Sequence, residues 1–172
     1  MTTDDGRIDW IAVDLADNPF QSFDFALQYW SDRKGDAFAP TWPDIDLMDF
    51  PPKMIANCNV TDIGRDPLEI RYRFFGTGIC NLHGSDLTGK TVEANEPAPF
   101  RVLCIETFTA LVERREPLLF IAPVPVTSGA MKRHHFLRLP LSADGVEVTN
   151  AITFEEFAEH KDELKAYYAR MA

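Results

Sequence analysis

Cysteine is scarce in this chain. The three present, Cys58, Cys80 and Cys104, are odd in number and have no Cys-x-x-Cys spacing. A disulfide framework is not indicated, and buried reduced thiols of a cytoplasmic protein are the expectation. Basic charge is also short: 17 Lys and Arg stand against 27 Asp and Glu, for a net charge of −10 and a pI near 4.8. Binding to nucleic acid is not expected, because phosphate contacts need clustered Lys and Arg. The one basic run, Lys132-Arg133-His134-His135, is brief. The longest apolar run, Leu118 to Val126, is too short to span a bilayer and carries two prolines. Met1 to Gly6 has neither a basic n-region nor an apolar h-region, so no membrane or export role is expected. There is no Gly-x-Ser-x-Gly elbow, no Ser or Cys sits in a nucleophile motif, and no catalytic residue is assigned.

What remains is enough for one folded domain. The chain has 172 residues, 45% of them hydrophobic, and needs no staples to fold. Residues 1–18 read as an acidic lead-in, 19–155 as the domain with its N-terminal helix, and 156–172 as a C-terminal helix. Gly84-x-x-x-x-Gly89-Lys90-Thr91 satisfies the P-loop pattern. Its context does not: a P-loop needs a strand before the first glycine and a helix after Lys-Thr. Here a short helix precedes Gly84, and Pro97 and Pro99 break any helix begun at Thr91. The match is read as accidental.

Apolar spacing predicts a helix over 19–34, ended by Gly35, then a proline-rich connector from Pro40 to Pro52 with one helical turn. Five strands are expected: Met54 to Ile63, Leu68 to Phe75, Leu118 to Val126, Met131 to Leu141, and Val146 to Phe154. Turns at Gly64-Arg65-Asp66-Pro67, Thr127-Ser128-Gly129 and Ser142-Ala143-Asp144-Gly145 separate the paired strands. A long amphipathic helix spans Pro99 to Arg115, and a charged helix Glu155 to Met171. The fold class is α+β, a five-stranded antiparallel sheet with helices on one face and flanking helices at both ends.

This element order is that of a PAS domain. The run from Trp30 through Pro40, with Asp44-Ile45-Asp46, Arg71-Tyr72-Arg73, Gly76-Thr77 and Asp86-Leu87-Thr88-Gly89-Lys90, resembles the PAS-like family of small stand-alone alphaproteobacterial proteins. Thr41-Trp42 departs from that family, which often carries a basic residue there. The resemblance covers about residues 25–155. It implies a sensory or regulatory role and supplies no ligand.

The expected site is a pocket between sheet and helices for an unidentified small molecule. Strand alternation places Tyr72 and Phe74 on one face, with Arg71, Arg73 and Phe75 on the other. Cys58, Tyr72 and Phe74 would wall the pocket from the first hairpin, Cys80 and His83 from the short helix, and Cys104 and Phe108 from the long helix. His135 and Leu137 would close it from the fourth strand. Cys80 and His83 could alternatively meet a metal or haem iron, but two ligands are too few for a structural zinc site. Arg71 and Arg73, with Arg133, could form an anion site or a solvated charged face. A second class of function is a filled-core interaction module, a homodimer through Phe20, Phe23, Phe25, Leu27 and Trp30 of the N-terminal helix. A third is a small enzyme using Tyr72, His83 or His135 as acid or base.

Overall fold

The computed structural model describes residues 7–125, 130–157 and 160–170. Six strands form one sheet: β1 (Ile11–Val13), β2 (Cys58–Gly64), β3 (Glu69–Phe75), β4 (Leu118–Pro125), β5 (Met131–Leu141) and β6 (Asn150–Glu156). Their order is β1-β4-β5-β6-β2-β3, and every neighbouring pair is antiparallel. The five expected strands are all present. The sixth comes from the acidic lead-in, where β1 pairs with β4 and Ile8 is buried.

Five α-helices accompany the sheet: α1 (Gln21–Lys34), α2 (Pro52–Ala56), α3 (Thr77–His83), α4 (Ala98–Arg114) and α5 (Lys161–Arg170). α4 buries Phe100, Leu103, Cys104, Thr107, Phe108 and Leu111, a stripe at helical spacing. α1 buries Phe23, Ala26 and Trp30, and ends at Gly35 with φ +54°. Its Trp30 indole donates to the Pro140 carbonyl at 2.7 Å, tying helix to sheet.

The two faces of the sheet are covered by different helices. Phe23 and Trp30 of α1 and Phe50 of the connector pack on Leu137, Leu139 and Phe154. On the opposite face, Phe100, Leu103 and Phe108 of α4 pack with Phe120, Phe136, Leu164 and Tyr168. β5 alternates between them, with His134, Phe136 and Arg138 toward α4 and α5, and His135, Leu137 and Leu139 toward α1.

Several boundaries differ from expectation for physical reasons. The segment Met54 to Asn57 is not strand: Pro51 and Pro52 start α2, and β2 begins at Cys58. The last strand begins at Asn150 rather than Val146, because Asp144 accepts from the Val146 and Glu147 amides and lengthens the turn. Glu155 and Glu156 belong to β6 and do not open a helix. The connector holds two 3-10 turns, Trp42–Asp44 and Leu47–Asp49. The Thr127-Ser128-Gly129 turn lies outside the described residues.

The Gly84–Thr91 segment is not a phosphate loop. α3 ends at Gly84 in the left-handed region, and only a 3-10 turn, Val92–Ala94, follows Lys90-Thr91. Gly76 and Gly78 have a different task. A Cβ on Gly76 would lie 2.7 Å from the Cys58 and Ile55 carbonyl oxygens, and one on Gly78 2.8 Å from that of Ala56. Only glycine lets α3 start this close to α2 and β2. Gly78→Ala is expected to lower stability by about 1–3 kcal/mol through overpacking. Gly35→Ala meets no atom within 4 Å, so its loss, about 1–3 kcal/mol, comes from the backbone alone, held at φ +54° and ψ −128°. Urea denaturation of Gly78→Ala checks the close approach; a loss below about 0.5 kcal/mol, the size of a neutral surface change, would contradict it.

Candidate functional site

A β-bulge decides which aromatic residues face the helices. Thr61 pairs with Tyr72, but Val60 pairs with Phe74, leaving Arg73 as the extra residue. The alternation therefore changes phase. Phe75, not Phe74, joins Tyr72 on the helix side, with ring centroids 4.9 Å apart. Phe74 packs on the α1 side. Arg73 stays exposed and donates to Asp62 at 2.9 Å.

The expected pocket wall is accordingly split. Tyr72, Cys80, His83, Cys104 and Phe108 lie on the α3–α4 side. Cys58, Phe74 and Leu137 lie on the α1 side, as does His135, whose ring is 4.9 Å from Phe20. His135 and Leu137 share a face as expected, but it is the wrong one. His134 takes the inner position. Cys80 and His83 also part company: Cys80 packs toward Tyr72, Phe75 and Leu87, and His83 sits 4.9 Å from Phe100 and 4.1 Å from Tyr168. Arg71 pairs with Glu69 and the Gly89 carbonyl, so Arg71 and Arg73 form a solvated charged face. Arg133 is remote from them, beside the start of α1.

The centre of the inner sheet face carries a polar row that periodicity did not single out. Asn59 of β2 pairs with Thr153 of β6, which pairs with Arg138 of β5. All three side chains are buried. Arg138 donates to Thr153 Oγ1 at 2.7 Å and to Thr107 Oγ1 at 3.1 Å, and its guanidinium lies 3.6 Å from the Phe108 ring centroid. Among the described residues no carboxylate comes within ion-pair distance of it. Burial lowers its pKa, the sign of a cation held at a cost. Asn59 Nδ2 donates to Glu155 Oε1 at 3.2 Å. The other Glu155 oxygen is 2.9 Å from His134 Nε2, off the axis of a hydrogen bond, and His134 Nδ1 is 3.2 Å from the Tyr168 hydroxyl.

Among the described residues, three buried polar atoms on this face have no hydrogen-bond partner: Asn59 Oδ1 and Arg138 Nε of the row, and Thr61 Oγ1 two residues along β2. Such atoms are few in folded proteins, and each calls for a water, an ion or a ligand. Around them, Asn95 donates to the Tyr72 hydroxyl at 2.8 Å. Burial raises the Tyr72 pKa and pushes the Cys104 thiol up to about 12. The arrangement offers a cationic donor in Arg138 Nε, an acceptor in Asn59 Oδ1, the Thr61 hydroxyl and aromatic walls. The missed residues left one signal: Asn59, Thr61, Thr153 and Glu155 alternate with apolar neighbours, and Arg138 interrupts a run of apolar strand residues.

A mixed layer of sheet and helices with its polar groups gathered between them is the build of a sensory fold. The sequence profile of the PAS domain family matches residues 20–152, and the chain belongs to that family, whose members are sensory and regulatory modules. Solved structures with a similar fold include a light-oxygen-voltage domain studied with a flavin analogue. It is 16% identical, with 67% of this chain and 85% of that one covered and a TM-score of 0.42. The dark-state light-oxygen-voltage domain of the blue-light photoreceptor Aureochrome1 is 14% identical, over 74% of this chain and 93% of that one, with a TM-score of 0.42. An RNA-binding light-oxygen-voltage receptor is 11% identical, over 95% of this chain and 42% of that one, with a TM-score of 0.43. None of the curated proteins compared matches the chain.

His83 supplies a pH test of the inner layer. Desolvation, opposed by Glu155 and reinforced by His134, lowers its pKa from 6.5 to about 4. A histidine held neutral in the fold contributes stability above its unfolded pKa, which is lost as pH falls from 6.5 toward 4. The thermal midpoint is expected to drop across that window, and less steeply in His83→Leu. Parallel pH profiles of the two proteins would refute the assignment.

Proposed function

We propose that this protein is a sensory module that takes a small molecule between the sheet and α3–α4, with the ligand's polar group on Arg138, Asn59 and Thr61. The observation that carries this reading is the set of three unpartnered, fully buried polar atoms on β2 and β5, the two strands that flank β6. Tyr72 and Phe108 would flank the ligand, and Cys104 would face it from α4. A molecule bearing both an acceptor and a donor suits the row best, because Arg138 Nε is a donor without an acceptor and Asn59 Oδ1 an acceptor without a donor. The signal would leave through α5, whose Tyr168 rests on both His83 and His134. No nucleic-acid or membrane role is proposed; among the described residues no helix is long and apolar enough to cross a membrane.

The other readings have less support. Phe23 and Trp30 of α1 are buried on the chain's own sheet, so dimerisation there would rest chiefly on exposed Phe25. For catalysis, the Cys58 and Cys104 thiols are both pushed up to about 12, opposite to an activated nucleophile.

Arg138→Met is the direct test. Removing a buried cation that has no counter-ion is expected to leave the ligand-free protein within about 1 kcal/mol of the parent, or to stabilise it. Denaturing the purified parent and examining released small molecules by mass spectrometry should reveal a species that the Arg138→Met protein lacks. A folded variant releasing the same compound in the same amount would remove Arg138 from the site. A parent that releases nothing, and whose melting is unmoved by small acceptor-bearing molecules, would favour a filled core.

A further inference from the structure

On the opposite face of the sheet, two cavities meet at the start of α1. One is a slot of about 300 Å³ whose surface is mostly apolar, walled by Phe23, Phe25, Met54 and Phe154 with Asn57 and Glu155 beside them. The other is a half-open groove of about 890 Å³ lined by Lys53 of α2, Arg133 and His135 of β5, and His160 just before α5. Gln21, Ser22, Lys53 and Glu156 line both, so slot and groove are continuous. Volumes in this range are those of small-molecule sites.

The charge of the groove runs against the charge of the protein. The chain carries a net charge of −10, and six of its arginines outside the groove hold carboxylates. Arg133 and Lys53 have no carboxylate partner among the described residues. Glu156 is the acid on the groove's lining, and it accepts from the Ser22 hydroxyl at 2.6 Å, while Glu155 lines the slot. Acidic residues elsewhere on the surface are screened beyond about 8 Å at physiological salt, so the local cations set the field. The N-terminus of α1 adds to it: Phe20 makes no side-chain cap, and the positive end of this 14-residue helix opens on the groove.

We infer that this outer face binds a small amphipathic organic anion, its apolar body in the slot beside Phe25 and Met54 and its carboxylate, sulfonate or phosphate between Arg133 and Lys53. The site is distinct from the Arg138 position, since the Arg138 side chain and this groove lie on opposite faces of β5, and the slot meets the inner row only at Glu155. An apolar slot alone would take a neutral molecule, and a basic groove alone an inorganic ion. Their continuity selects a molecule with both parts.

Decanoate is the probe, titrated into the full chain below its aggregation concentration, with 1-decanol and decyltrimethylammonium as controls. Binding of decanoate, with backbone amide shifts at Gln21, Ser22 and Arg133 in the NMR spectrum, is expected; the cation should not bind. Arg133→Glu combined with Lys53→Glu changes two exposed side chains and should weaken decanoate by about tenfold or more, equivalent to roughly 1.4 kcal/mol, at an unchanged unfolding midpoint. Arg138→Met should leave it unaffected, which separates this site from the inner one. The inference fails if decanoate does not bind, if decanol binds equally well, if the charge reversal has no effect, or if Arg138→Met abolishes binding.

Discussion

A sheet with helices against both faces has no wet side in its central strands, and this constraint shapes the rest of the molecule. In β5 and β6, consecutive side chains enter two different cores, so a polar residue on either face must be satisfied inside the protein. The α1 side meets the demand by having almost none: Leu137, Leu139, Ile152 and Phe154 are apolar and packed. The α4 side does the reverse. His134, Arg138, Thr153 and Glu155 all point there from adjoining strands. Burying so many polar groups together costs stability unless they find partners, and here the partnering is incomplete. The fully buried polar side chains of β5 and β6 are thus gathered on one face of a doubly covered sheet.

Much of the architecture could be read from the chain. Apolar spacing located α1 and α4, and turn residues separated the strands, because those features depend on local periodicity. The connector and the last turn were less legible. Pro51 and Pro52 convert apparent strand alternation at Met54 and Ala56 into a helical turn, and the Asp144 carboxylate stretches a hairpin that its Asp-Gly pair suggested was tight. In both places a specific local bond overrode pattern.

The site was legible only in part, and the reason is a single residue. Tyr72, Cys104 and Phe108 were placed on the helix side by periodicity alone. Phe74 was not, because Arg73 is inserted into the ladder and everything after it is out of phase. Nothing in the identities of Arg73 and Phe74 announces a bulge; it is set by how β2 and β3 align. Cys58, His135 and Leu137 were assigned to the pocket on the assumption that apolar positions face one core. With two cores, alternation gives the period but not the face. The polar row escaped for the converse reason: Asn59, Thr153 and Arg138 are far apart in sequence and become a row only through strand pairing.

Glu155 has one carboxylate oxygen toward Asn59, in the sheet's polar row, and the other toward His134, which contacts the C-terminal helix through Tyr168. A guest that took the Asn59 amide would compete with this carboxylate for it, and a shift of the carboxylate would alter the footing of His134 beneath α5. Coupling of this kind is symmetric in free energy. A partner that pulls α5 away would change the affinity of the buried row by the same factor by which the guest changes the grip of the partner. Such a domain would serve equally as a receptor that reports a metabolite and as a carrier that surrenders one on command.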